Sequence, residues 1–426
     1  MRWSDLYRQL GPVSMRRIAI VAPAAAMRSA LAVVGAAGVV DVDEPPGRDG
    51  TGPAGLPGYL AAAVRHDQVA ALLGWCPRGA LRDLACRLRA VGAAPVPLPT
   101  PPGTEPPTLL PAGPVRRSVA PLVGTYQTVA YPDVDPTVLA GVAYVAMFGI
   151  MFGDVGHGLL LTGFALAVRF GTWPRLARLR AGWPFLAGAG VASVAAGAAY
   201  GEFFGPTGLV PALWLQPLTD PMRLLTAGIG VGAALLAASY TVGIVNRWRE
   251  GGPGVALYAA SGVAGAAVFV GLALGAVGLF LHLPPLWLAA AALTLVGLGL
   301  AAVGFASTAG GGATGIAQTV VELFDTAVRI GANLVSFARL AAFGLTHAAL
   351  GLLVWHAAAA LAGRGVLGVV AAAVVFLLGN ALAIALEGLV AAVQALRLEY
   401  YEMFSRIFGP AGRPYRPWRI TTEELS

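Results

Sequence analysis

From about residue 134 to residue 405 this chain is written almost entirely in apolar residues, and that limits what it can fold into. Eight apolar runs follow one another, at roughly 135–152, 155–171, 182–204, 222–246, 255–281, 284–306, 316–361 and 366–405. A helix needs about 20 apolar residues to cross the hydrocarbon of a bilayer. The pattern predicts a mainly α, polytopic membrane protein with eight transmembrane helices. The last two runs far exceed one crossing, so they are expected as long helices that are either broken in two or strongly tilted.

Composition agrees. The chain is 57% hydrophobic and 12% charged, where a soluble domain is nearer 25% charged. Its 57 glycines suit close helix–helix contact in lipid, where small residues let backbones approach. The net charge of +7 is carried by arginine, with no lysine in the chain. In a membrane protein such an excess belongs to cytoplasmic loops rather than to nucleic-acid binding. Cys76 and Cys86 lie ten apart without a nearby histidine pair, which fits neither a zinc site nor a disulfide framework. The start, Met1 to Leu10, is polar and lacks the apolar core of a signal peptide. No cofactor and no metal site is expected.

Residues 1–116 read differently, as a small cytosolic α/β domain, with 117–426 as the membrane domain. Arg17–Ala22 and Gly38–Val42 have the character of short strands, with a helix over Met27–Val34 between them. Tyr59–Leu73 and Arg78–Val91 are expected to be helical. Asp43–Pro57 is rich in Gly, Pro and charge and reads as a linker, and Pro95–Pro114 as extended chain.

Loop arginines set the expected orientation. Arg169, Arg175, Arg178 and Arg180 follow the second span, and Arg247 and Arg249 the fourth; the opposite loops hold only Arg223 and Arg364. Both termini are therefore expected in the cytoplasm, and the tail, with Arg406, Arg413, Arg416 and Arg419, agrees.

Arg339 stands in the middle of the seventh run. A cation at membrane depth costs about 2.5–3.5 kcal/mol on insertion scales, and arginine cannot shed its proton. It should therefore face protein, water or a carboxylate, or else snorkel to an interface. The same run carries Glu322, Asp325, Arg329, Asn333, Ser336 and His347. On one continuous helix Asp325 falls about 40° from Arg339, and the polar stripe from Asp325 to His347 rises about 33 Å. A stripe of ionisable groups across a bilayer suits an ion path. In the eighth run Asn380, Glu387 and Gln394 recur every seven residues and share a face to within about 20°, with Arg397 ten residues after Glu387. Plainer roles stay open beside these: His347, Asn380 and Gln394 as interhelical hydrogen-bonding groups, Glu387 with Arg397 as a structural ion pair, and Glu322 and Asp325 as acids at a helix start. The turn Gly153-Asp154-Val155-Gly156-His157-Gly158 is expected on the outer side as a structural feature rather than an ion site.

The same segments carry a family resemblance. Phe148 to Gly158, Tyr200 to Gly205, Ser336-Phe337-Ala338-Arg339-Leu340 with Gly344-Leu345-Thr346-His347-Ala348, and Leu386-Glu387-Gly388 with Leu396-Arg397-Leu398 and Pro414-Tyr415-Arg416-Pro417 resemble, in order, motifs of the a-subunit of V/A-type rotary ATPases, called subunit I in prokaryotes. The resemblance implies a membrane stator beside a proteolipid c-ring, coupling H⁺ translocation to ATP hydrolysis or synthesis, with peripheral and central stalk subunits as further partners and ATP chemistry in those partners, not here. It implies that Arg339 faces the ring and drives ion release from its carboxylates, that Arg397 assists, that Glu387 and His347 line one half-channel, and that Asp325 belongs to the other. Ser336, Asn380, Gln394 and Glu322 are further lining candidates. H⁺ is favoured over Na⁺ because no cluster of sodium-type oxygen ligands is visible. Two departures stand out: Phe337 replaces the family's usual Tyr, and the long charged arm between the beginning and end of the family's cytosolic domain has no counterpart. The alternatives are a secondary transporter, or a non-translocating assembly protein derived from the stator.

Overall fold

The computed structural model describes residues 11–43, 56–172 and 174–420. The expectations for Met1–Leu10 and for most of the linker 43–57 fall outside them. The described chain separates into two compact units.

The first unit holds the residues up to Pro111, Gln127–Asp135 and the chain from Gly409 onward. Its elements are β1 (Met15–Pro23), α1 (Met27–Ala37), β2 (Asp41–Val42), α2 (Leu56–Ala62), β3 (Val64–His66), β4 (Val69–Pro77), α3 (Leu81–Arg89) and β5 (Ala94–Pro97). Among the described residues the sheet order is β2-β4-β1-β5, with β3 paired to β4, and every pairing is antiparallel. With α2 and β3 inserted between β2 and β4, the other elements follow a split β-α-β-β-α-β arrangement. The helix expected over Tyr59–Leu73 is corrected: α2 stops at Ala62, and Val69–Pro77 is a central strand in register with β1 from Met15↔Pro77 to Pro23↔Val69. Alternation explains it, because Ala70, Leu72, Gly74 and Cys76 turn inward. Burial against α1 and α3 outweighs the helix preference of Ala and Leu.

The tail completes this unit. Thr108 N donates to Arg413 O (2.7 Å), Tyr415 N to Thr108 O (3.2 Å) and Trp418 N to Val40 O (2.9 Å). The Trp418 ring lies 5.1 Å from that of Tyr59 inside the core. Arg413 pairs with Asp41 (3.5 Å) and Asp43 (3.7 Å).

The second unit is helical: α4 (Pro114–Tyr126), α5 (Thr137–Met151), α6 (Val155–Phe170), a 3₁₀ stretch (Pro174–Gly182), α7 (Trp183–Tyr200), α8 (Pro221–Tyr258), α9 (Val263–Phe280), α10 (Pro284–Thr308), α11 (Gly312–Ser336), α12 (Ala338–Ala362), α13 (Gly365–Leu382), α14 (Gly388–Leu398) and α15 (Ser405–Ile407). Among the described residues six helical stretches are long and apolar enough to cross a membrane, two of them being the 51-residue Gly312–Ala362 and the 43-residue Gly365–Ile407. The first two expected spans are apolar but short, 15 residues in α5 and 16 in α6. The cause is the glycine-rich turn between them: Asp154 caps α6 by accepting from His157 N (2.9 Å), which fixes the helix start there.

The long stretches are interrupted rather than straight. In α8, Gly252 takes φ 76° just before Pro253, a kink expected where Pro removes a hydrogen bond. Between α11 and α12, Phe337 N donates to Leu334 O and Leu340 N to Phe337 O, a tightened 3₁₀-type turn. The Phe337 ring is fully buried against Gly232, where a Cβ would come 2.1 Å from its Cγ. Two π-helical segments, Ala383–Glu387 and Glu399–Phe404, flank α14.

Candidate functional site

Arg339 lies in the first turn of α12, immediately after the Phe337 break. Its side chain is 24% exposed, and its Nη2 stands 3.8 Å from Glu402 Oε1. Its Nη1 has no hydrogen-bond partner among the described residues. Glu402 is almost fully buried and sits in the second π-segment. A cation in an apolar helix has thus found a buried carboxylate, one of the outcomes open to it in lipid.

A second polar cluster gathers residues from four elements. His347 of α12 contacts Glu387, at the end of the first π-segment, through Nδ1. His157 of α6 meets Asn380 of α13, Nε2 to Oδ1, at 2.9 Å. Asn380 Nδ2 donates to Phe376 O (2.8 Å), which leaves Oδ1 as the acceptor facing His157. The two imidazole rings are 5.4 Å apart. Asp154 accepts from His157 N and, through Oδ2, from Gly205 N (2.9 Å). Gly205 needs its positive φ of 92° here, and a Cβ would strike Gly351 O at 2.7 Å. Glu202, also buried, accepts from Val155 N through its carbonyl (2.9 Å). A cavity of about 160 Å³ reaches His347 and Glu387 between Met151, Phe343 and Leu386.

Ser336 and Arg397 lie within reach of Glu402; Asp325 and Glu322 lie outside these clusters. Asp325 pairs with Arg329 on an exposed surface of α11. Glu322 accepts from Gln318 Nε2 (2.9 Å). The Ser336 hydroxyl returns to Ala332 O (3.0 Å). The projection that set Asp325 beside Arg339 requires one continuous helix, and the turn at Phe337 interrupts it. Arg397 is exposed; Glu387 meets His347, so the Glu387–Arg397 pair is replaced by Glu387–His347 and Arg339–Glu402. Gln394 Oε1 is buried without a partner among the described residues. The seven-residue face of Asn380, Glu387 and Gln394 is cut by a π-segment, which adds a residue to the turn. Arg406 is also corrected: it belongs to the helical unit, buried with its guanidinium 5.5 Å from the Tyr240 ring.

Sequence reasoning passes over Glu399, Glu402 and Glu202, and treats Asp154 and His157 as a turn. Glu399 is fully buried, and neither carboxyl oxygen has a hydrogen bond among the described residues. An acid inside an apolar run is itself the signal that could have found Glu399 and Glu402.

Comparison with known proteins follows the same segments. Residues 60–172 match the model of the V-type ATPase 116kDa subunit family. The A-type ATP synthase subunit I of Aeropyrum pernix is 28% identical over 342 residues, covering 68% of this chain and 48% of that protein. The subunit I of Archaeoglobus fulgidus is 28% identical over 407 residues, with coverage of 82% and 58%. That of Methanocaldococcus jannaschii is 27% identical over 366 residues, with coverage of 74% and 49%. The chain is thus similar over most of its length to these A-type ATP synthase subunit I proteins. It spans about half the length of the curated relatives it matches.

Proposed function

We propose that this subunit I homologue is the non-catalytic membrane stator of a V/A-type rotary ATPase, with Arg339 presented to the carboxylates of a neighbouring proteolipid ring. Arg339 carries the reading. It is a permanent cation held at a helix break, backed on one side by Glu402, with 24% of its side chain exposed. A fixed cation favours the ionised, proton-free form of a passing carboxyl group. The large apolar side chains Phe324, Val328 and Val335 of α11 and Leu389 and Val393 of α14 are exposed, as a surface facing lipid or a greasy rotor would be.

In this reading His347, Glu387 and Asn380 line the half-channel entered through the 160 Å³ cavity. Arg397, Gln394 and Ser336 assist along the same two helices, while Asp325 and Glu322 serve the other half-channel from the exposed face of α11. The coupling ion is H⁺, ATP chemistry belongs to partner subunits, stalk subunits hold the chain against rotation, and both termini are cytoplasmic.

The test is ATP-driven acidification of vesicles from cells carrying Arg339→Gln. Loss of acidification with the complex still assembled is expected. Acidification at the wild-type rate would refute the reading.

A further inference from the structure

Asp154, His157 and His347 are each almost completely buried, and one ligand-type atom from each lies within 4.8 Å of the others. Their surroundings are arranged as the outer shell of a metal centre is. Asn380 Oδ1 is an acceptor, so the proton on His157 sits on Nε2 and the lone pair on Nδ1. That Nδ1 is buried, has no hydrogen-bond partner among the described residues, and stands 3.7 Å from Asp154 Oδ1. The carboxylate of Glu387 engages His347 at Nδ1 in the same way, leaving Nε2 with the lone pair. Each imidazole therefore has one nitrogen tied to an oxygen acceptor and carries its lone pair on the other. Metal-ligating histidines are held by such partners, which fix the tautomer and raise ligand basicity.

We propose that Asp154, His157 and His347 bind one divalent transition metal of the zinc type. Two imidazoles with one carboxylate suit Zn²⁺, Co²⁺ or Cu²⁺. Ca²⁺ and Mg²⁺ prefer sites made of oxygen alone. The carboxylates of buried Asp154 and Glu202 and of half-buried Glu387 lie near the position, so a dication enters an acidic region. Metal–ligand bonds of about 2.0–2.2 Å draw the three side chains inward by roughly an ångström. The cavity beside Glu387 offers an entrance. Resting on the stator reading above, occupancy has a functional consequence: the metal fixes His347 and Glu387 and blocks the path they line.

Titration of the purified full-length chain with Co²⁺, followed by its visible d–d absorption, tests the site without reference to pumping. One Co²⁺ is expected to bind with the intense spectrum of four- or five-coordination and to be displaced by Zn²⁺. His157→Gln and His347→Gln should each abolish that spectrum. Asn380→Leu, with all three ligands kept, should weaken binding by about 10–100-fold. His282→Gln and His356→Gln, at exposed positions, should change nothing. Circular dichroism confirms that each variant is folded. Equal Co²⁺ spectra from wild type and a folded His157→Gln/His347→Gln double variant would overturn the proposal. Zn²⁺ is also expected to stop ATP-driven acidification by the wild-type complex. Co²⁺ bound at these three residues without any block by Zn²⁺ would uphold the metal site and count against the ion-path reading instead.

Discussion

Glu402 decides what Arg339 can do. Without a nearby carboxylate a guanidinium at membrane depth would snorkel toward an interface. With Glu402 Oε1 3.8 Å away it is held, yet its side chain stays 24% exposed. Glu402→Gln keeps the shape and removes the charge. ATP-driven acidification is expected to fall without being lost and the complex to assemble; acidification at the wild-type rate would show that Glu402 does not hold Arg339. Cys76 makes a simpler residue-scale point. Burial pushes its thiol up to about 12, so it stays protonated across the pH range in which a free thiol ionises. At pH 8, iodoacetamide should label the exposed Cys86 alone in the native protein and both cysteines after denaturation; mass spectrometry of the labelled peptides reads the result. Arg339, His347 and Glu387 were legible in the sequence because charge inside an apolar run is conspicuous. The Arg339–Glu402 and His157–Asn380 contacts were not, because each joins residues more than sixty positions apart and no local pattern records them.

At the scale of elements, the polar clusters depend on helices brought unusually close. At Gly190 of α7 a Cβ would meet Thr162 Oγ1 at 2.4 Å and Gly158 O at 2.9 Å across the α6–α7 crossing. Both helices therefore touch backbone to backbone, the arrangement small residues permit in lipid. Because Asp154 and His157 open α6, spreading this crossing displaces them. Gly190→Ala is expected to destabilise the helical unit by about 1–3 kcal/mol, the usual cost of overpacking. Gly163→Ala, one residue from Thr162 with nothing within 4 Å of its added Cβ, should be neutral or slightly stabilising. Thermal unfolding of the two variants in detergent distinguishes crowding from propensity. The glycine count foretold close packing but not which glycines meet, since that depends on the pairing of helices. In the same way the length of the last two runs foretold a break or a tilt, and the break at Phe337 follows from a side chain seated on Gly232 far away in sequence. Periodicity extrapolated across that break, or across the π-segments beside α14, assumes a regular helix that the backbone there does not keep.

At the scale of the whole chain, the sheet unit is assembled from both ends of the sequence, with the helical unit inserted between its parts. A linear reading draws a boundary near residue 116 and sees the tail only as a basic, proline-containing end. It cannot register that Trp418 belongs to the core formed by Ile18, Leu31, Val40 and Tyr59. The strands β1 and β4 can pair as soon as residues 15–77 exist, but the core stays open until the last residues return to it. Such long-range closure is slow, because the loop entropy is lost before the contact forms. Trp418→Ala should therefore cost the sheet unit about 3–5 kcal/mol, while the helical unit, with its own packing, stays folded. Tryptic cleavage at the sheet-unit arginines Arg65 and Arg89 reads the population of opened sheet when reclosing outpaces cleavage. At about 1.4 kcal/mol per factor of ten, the loss corresponds to cleavage faster by roughly a hundredfold or more. The helical fragment should survive the same digestion intact, and equal cleavage rates in wild type and Trp418→Ala would show that the sheet unit is held closed without its tail.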